Sequence, residues 1–316
     1  MFLKEFPDYA WLKRQAETAF ENRLVVKGAP LKKDGWPLVI LNTHTRHCHR
    51  QNIKGPFTIF TNISGTSTVS TGRQRVQVDE DSFFITNRAQ YYSLEVDSEQ
   101  DVETFNMHLG RDVWEDFVYS QSLEQTTLLD NPFESSTSAV SEFPNLLQLQ
   151  TSQMSKAIQH LHQLSKQPHS GSLEIEEALL PLLLGLAFQK KELTRQVLRI
   201  PTLRPATRQE LFRRVCMATD YMLSKSTETA PLERLAAMAC LSKFHFLRTF
   251  TSIHRTTPHQ FMLQQRLRRA QRLLSKTRLA VGDIALLCGF PEVSTFSRAF
   301  RKAMGTTPHQ YRLQVN

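Results

Sequence analysis

Cysteine is scarce, and its four residues, Cys48, Cys216, Cys240 and Cys288, are scattered with no C-x-x-C pair. That spacing points to free thiols in a reducing compartment, not to a disulfide framework or a structural zinc site. Long apolar runs are missing as well. No stretch approaches the ~20 residues of a membrane span, and Pro181 interrupts the richest one, residues 178–188. The N-terminus, Met-Phe-Leu-Lys-Glu-Phe-Pro-Asp, lacks the ordered regions of a signal peptide. A cytoplasmic chain with no membrane partner is expected. No phosphate loop, nucleophile triad or paired-carboxylate motif stands out, so no enzyme and no cofactor are expected. Acidic residues run short in one part only. Residues 201–316 carry 19 Lys and Arg against 6 Asp and Glu, whereas residues 1–200 carry 20 against 24. The overall charge of +9 therefore comes entirely from the C-terminal part, which suits a polyanion as partner.

At 316 residues the chain is long enough for about two domains. Its most informative feature is a repeat. Thr256-Thr-Pro-His-Gln-Phe261 returns as Thr306-Thr-Pro-His-Gln-Tyr311, 50 residues later. Thr followed by Pro is a helix start: Thr257 and Thr307 can cap, and Pro258 and Pro308 fit a first position that needs no N–H. Upstream, Phe246, Arg248 and Phe250 match Phe296, Arg298 and Phe300 at the same interval of 50, and Leu235-Ala236 matches Ile284-Ala285 at 49. Each copy reads as a short apolar helix, a tight turn and a longer helix with a basic residue, which is the helix-turn-helix plan. Phenylalanines four apart share one helix face and belong to a core. The arginines between them project elsewhere, where a guanidinium suits guanine edges or phosphates.

The N-terminal half reads differently. A first helix is expected over 8–22. From about 24 to 109 short β-branched or aromatic runs alternate with turn signals, namely 38–41, 57–60, 67–70, 75–78, 82–86, 91–96 and 103–109. Many short strands imply a closed barrel or jelly roll. A helix over 111–121, a polar connection over 126–144, and two longer helices over 145–166 and 173–198 come next. Ile200-Pro-Thr-Leu-Arg-Pro205 is the best linker, and a helix over 207–223 opens the basic part.

Residues 208–316 resemble the AraC/XylS family of bacterial transcription regulators. The resemblance is carried by Ile284-Ala, Gly289-Phe290, Phe296-Ser-Arg-Ala-Phe-Arg-Lys302, Gly305-Thr-Thr-Pro308 and Tyr311-Arg312. It implies an α+β two-domain protein: a cupin-like effector-sensing β-barrel (1–143), a helical hairpin for dimerisation and linkage (144–200), and an all-α domain with two helix-turn-helix units (201–316). By position in the motif, it implies base reading by Phe244, Leu247 and Arg248 in one unit, and by Val293, Ser294, Ser297 and Arg298 in the other. Lys243, Thr249, Thr295, Arg301 and Lys302 are then DNA-backbone contacts. The expected partners are double-stranded DNA, a second copy of the chain, a small-molecule effector and RNA polymerase, in the role of an activator.

Two features of the N-terminal half stay open. His44-Thr-Arg-His47-Cys48-His49 gathers metal-ligand types, but on a strand His47 and His49 share a face that His44 leaves. The stretch Arg88-Ala-Gln-Tyr-Tyr92 supplies no later His, so no metal is expected and a metal-dependent enzyme is disfavoured. An organic pocket lined by Phe60, Phe84, Tyr92, Phe105 and His108 is the alternative, although for any single one of these residues ordinary barrel core is the favoured reading. Leu179, Leu182, Leu183 and Leu186 form an apolar face that fits a dimer seam or packing onto the chain's own sheet. Control by a protein partner in place of a small ligand is a further reading.

Overall fold

A computed structural model describes residues 1–8, 38–72, 74–110, 113–122, 142–167, 171–202, 204–225, 227–228 and 230–315. The helix expected over 8–22 lies outside the described residues, apart from Asp8. So do most of the connection at 126–144 and the turn of the helical hairpin. The chain divides into two compact units, Met1–Glu192 and Leu193–Asn316.

The first unit is built on a nine-stranded sheet. Its strands are β1 (Phe2–Leu3), β2 (Val39–Lys54), β3 (Phe57–Phe60), β4 (Asn62–Ser64), β5 (Ser67–Thr71), β6 (Gln74–Val78), β7 (Ser82–Thr86), β8 (Tyr91–Leu109) and β9 (Gln148–Leu149). The hydrogen-bonded path runs β1-β2-β8-β3-β7-β9, with β4 and β5 also on β8 and β6 on β5. The strand pattern implies a closed barrel or jelly roll; among the described strands the path does not return on itself, so the sheet is not closed. Two strands are also far longer than expected. β8 fuses the runs at 91–96 and 103–109, and β2 carries the whole histidine cluster. Their middles pair with each other across register shifts between Thr45/His47 and Arg50/Ile53. Arg46 meets Asp101 at 3.0 Å and His47 meets Asp97 at 3.1 Å. The ribbon is exposed and joined by its antiparallel ladder, with polar side chains paired across it, so it carries no apolar signature.

Helix α1 (Val113–Ser122) packs on the sheet through Trp114, stacked on Phe57 at 5.0 Å. Asn87 ties the approach to the hairpin: its amide donates to the Phe143 carbonyl and accepts from the Phe143 N–H, both at 2.8 Å. Helix α2 (Ser152–Ser165) starts at Thr151, whose hydroxyl accepts from the Met154 N–H. Helix α3 (Ser172–Leu198) crosses α2 closely enough that a Cβ on Gly185 would lie 2.8 Å from Met154 Cγ. Leu179, Leu182, Leu183 and Leu186 are all buried within this unit. The expected dimer seam is therefore committed to the chain's own core.

The second unit is all helix: α4 (Pro205–Ser224), α5 (Leu232–Met238), α6 (Lys243–His254), α7 (Pro258–Lys276), α8 (Val281–Leu287), α9 (Val293–Met304) and α10 (Pro308–Val315). The helix pairs α5–α6 and α8–α9 are the two repeats, and α7 and α10 start at the repeated Thr-Pro. Thr257 forms a full capping box with Gln260. Thr307 and Gln310 exchange the same bonds at 3.2 and 3.3 Å. The repeat extends to the backbone. Arg255 and Gly305 are both left-handed just before the Thr-Thr, and Cys240 (φ 51°) matches Gly289 (φ 76°) in the turns. Cores repeat as well: Phe246–Phe250 and Phe296–Phe300 each lie 5.6 Å apart, and Phe261 and Tyr311 close on Phe250 and Phe300 at 5.7 and 5.4 Å.

Candidate nucleic-acid interface

Burial of the phenylalanines fixes which face each longer helix shows to water. On α6, Phe246, Phe250 and Ile253 point inward, and Phe244 and Arg248, four apart, point out. Phe244 is 84% exposed, which no packing within the unit explains. Lys243 is exposed and paired with Glu233 at 2.9 Å; that hydrogen bond holds the Glu233 carboxyl below its ordinary range. Leu247 is half-buried and borders a groove of about 440 Å³ with Leu235, Pro258 and Met262. Thr249 is 3% exposed. It lies on the core side of α6, next to Ile253 on the wheel, so it is not placed to make the expected DNA-backbone contact.

On α9 the division is cleaner. Phe296 and Phe300 are buried. Val293, Ser294, Thr295, Arg298, Arg301 and Lys302 are exposed, and Ser297 is half-buried. Ser294, Arg298 and Lys302 stand at successive spacings of four, with Ser297 and Arg301 beside them, so the expected reading face is one continuous surface. The Ser294 hydroxyl donates to the Glu292 carboxylate at 3.1 Å, a bond that competes with any contact to a base.

One arginine of this unit turns its charge onto the protein itself. Arg266 sits on α7, a helix that also carries Arg268, Arg269 and Arg272. The Arg266 Nη1 donates to the Gly289 carbonyl at 2.9 Å, and its Nη2 to Glu228 and Thr227 carbonyls at 3.0 and 3.4 Å. Burial lowers its pKa, with the nearby Cys288 opposing. Gly289 is held equally close: a Cβ there would lie 2.3 Å from the Thr227 carbonyl oxygen. Arg266 thus ties the connector helix, the turn of the second repeat and the loop before the first into one piece. Its position relative to Gly289 exists only in three dimensions, and no spacing in the chain announces it.

In the first unit, a cavity of about 300 Å³ lies against β2 and β8. Phe60, Tyr92 and His108 line it. Phe84, the register partner of Phe60, is buried beside it without bordering the cavity. Phe105 faces away: its ring meets His162 of α2 at 5.6 Å edge-on. Residues 105 and 108 on one strand take opposite faces, so they could not share a wall. The sequence reading missed Arg50 and Asn106, which do line it. Desolvation drops the His108 pKa to about 4, and the ring is neutral at neutral pH. The histidine cluster is split: His47 is on Asp97, and His44 reaches Glu103 at 3.3 Å. Among the described residues no three His, Cys, Asp or Glu side chains form a group that could hold a metal ion.

A β-rich unit with a cavity against its sheet, joined to an all-helical unit with two exposed basic helices in tandem, defines a two-domain helix-turn-helix class. Comparison with known proteins narrows it. Residues 38–184 match the AraC-like ligand binding domain and residues 235–314 a helix-turn-helix domain. The chain is 37% identical over 96 residues to the probable transcriptional regulator LumQ of Photobacterium leiognathi, covering 30% of this chain and 39% of that protein. It is 37% identical over 95 residues to the MmsAB operon regulatory protein of Pseudomonas aeruginosa, covering 30% and 31%. A crystal structure of the DNA-binding domain of AdpA with a target DNA matches 32% of this chain and 91% of that one, at 32% identity and a TM-score of 0.31. The chain belongs to the AraC family. The match spans less than half the length of these two regulators.

Proposed function

We propose that the protein is a transcription regulator that reads promoter DNA with α6 and α9 and senses a small effector in the β-rich unit. The observation that carries this is the pair of exposed helices, repeated at an interval of 50 with an arginine on each outer face and a phenylalanine core behind. They lie in the part of the chain that holds all its basic excess. Phosphate attraction is sequence-blind, so Arg301, Lys302 and Lys243 are assigned to positioning. Arg248 and Arg298 are assigned to base edges, and the exposed Phe244 to apolar contact with thymine methyls. Selection of bound duplexes from a random library by the purified full-length protein tests this, and absence of any enriched sequence defeats it.

The regulator acts as a homodimer in this reading. With the Leu179–Leu186 face buried, the seam moves to the opposite side of α3, where Leu180, Leu184 and Phe188 are 49, 42 and 62% exposed at spacings of four. Activation through RNA polymerase, a cytoplasmic location and the absence of catalysis complete the reading. No helix among the described residues is long and apolar enough to cross a membrane, which fits that location.

A further inference from the structure

The cavity against β2 and β8 has walls that select a ligand class. At about 300 Å³ it sits at the lower end of the roughly 300–1,000 Å³ of small-molecule sites. The register pairs Leu41 with Asn106, Val39 with His108, Arg50 with Leu94 and Ile53 with Tyr92, and all eight border the cavity. Apolar side chains alternate with polar ones along the wall, and two of the polar ones, Asn106 and Arg50, have hydrogen-bonding capacity to spare.

His49 and Gln51, also on the wall, are paired with each other. The first of the two polar features that matter for a ligand is Asn106. It is 1% exposed, and neither its carboxamide nitrogen nor its oxygen has a hydrogen-bond partner. A buried amide left without partners is strongly disfavoured. Asn106 lines the cavity, so a ligand with both donor and acceptor capacity resolves it. The second is Arg50. One of its nitrogens donates to the Phe6 carbonyl at 3.1 Å, and its guanidinium lies 5.1 Å from the centre of the Phe6 ring. Arg50 also hydrogen-bonds the Cys48 side chain, and five N–H donors in a fixed fork exceed what these two partners take up. No aspartate or glutamate lines the cavity among the described residues. His108 is neutral, and Arg50 is the one permanently charged side chain of the described wall.

We propose that this cavity binds a small organic carboxylate with an apolar body and a second hydrogen-bonding group. The carboxylate pairs with the Arg50 fork, the body lies among Leu41, Leu94 and Phe60, and the second polar group satisfies Asn106. This rests on the effector-sensing reading above and gives it a chemistry.

The test uses the full-length protein and four probes on one skeleton: hydrocinnamate, its para-hydroxy analogue, and the alcohol and the amine that replace the carboxylate. Binding is read by calorimetry and by the ligand-dependent rise in melting temperature. Both acids are expected to bind saturably, the alcohol about tenfold or more weaker, and the amine not at all. Arg50→Gln should bring the acids down to the level of the alcohol and leave the alcohol unchanged, while Arg50→Lys keeps part of the preference. Asn106→Leu should erase the advantage of the para-hydroxy acid. Equal binding of acid, alcohol and amine overturns the proposal. So does an acid preference that survives Arg50→Gln, or no saturable response to either acid. Melting of the ligand-free variants reports whether they fold, and if Arg50→Gln does not, Arg50→Lys decides: acid affinity unchanged from wild type would count against the fork. Duplex selection on the same preparations separates the two readings: enriched DNA without an acid response sinks only the ligand class.

Discussion

Replacing Arg266 by alanine removes a cation from a basic helix, and two roles for that cation lead to different outcomes. If it served DNA phosphates, its loss would weaken binding and lower the salt dependence by about one counterion. Its geometry points instead to the protein's own backbone, with bonds to Gly289 and Glu228 at 2.9 and 3.0 Å and a longer one to Thr227 at 3.4 Å. Hydrogen bonds from a charged donor contribute roughly 1.5–3 kcal/mol each when buried. Arg266 is only part-buried, so water replaces some of that, and a loss of about 2–4 kcal/mol is reasonable. For a helical unit of this size, that lowers the melting temperature by roughly 10 °C. Arg266→Lys should recover little, because a point charge cannot bridge two loops. Arg268→Ala, exposed on the same helix, should stay within about 0.5 kcal/mol of wild type. Thermal unfolding by circular dichroism and the salt dependence of DNA binding together decide. An Arg266→Ala protein of unchanged stability, whose salt slope falls by about one, would refute the clamp.

The remaining expectations are smaller. Leu180→Glu with Phe188→Glu should give a folded monomer by sedimentation, whereas Leu182→Glu, at a fully buried position, should cost several kcal/mol of stability. His108 and His254 have pKa values near 4 because burial disfavours their charged forms. As pH falls below about 6.5 the unfolded chain takes up protons that the folded one does not, so stability should drop by about 1.4 kcal/mol per pH unit per histidine down to about pH 4. His254→Gln should flatten that slope for the helical unit, and a wild-type stability constant between pH 6.5 and 4.5 would contradict the assignment. Cys240→Gly should stabilise by about 1 kcal/mol, since Cys240 holds the left-handed conformation that Gly289 adopts freely in the other repeat.

The helical half was legible because its signals are local. A Thr-Pro cap, phenylalanines four apart and a turn glycine each act within a few residues, and the 50-residue interval let one copy corroborate the other. Even there Thr249 misled: a hydroxyl beside an arginine reads as surface until the helix is phased by its buried rings. The β-rich half depended on partners distant in sequence. The polar ribbon of β2 and β8 is a strand through its antiparallel ladder, which pairs residues about 50 apart in sequence. The leucine face of α3 was visible, but periodicity cannot say whether a chain's own sheet or a second copy covers it. Asn106 left no signal at all, since its meaning lies in what fails to reach it.

The most direct test of the account is duplex selection with the full-length protein and its Arg248→Ala and Arg298→Ala variants. Wild type should enrich two short motifs about one helical turn apart, roughly 34 Å along the duplex. Each variant should relax preference in one motif and leave the other intact. Relaxation of the same motif by both variants, or of neither, would contradict the claim that the two repeats read separate stretches of DNA.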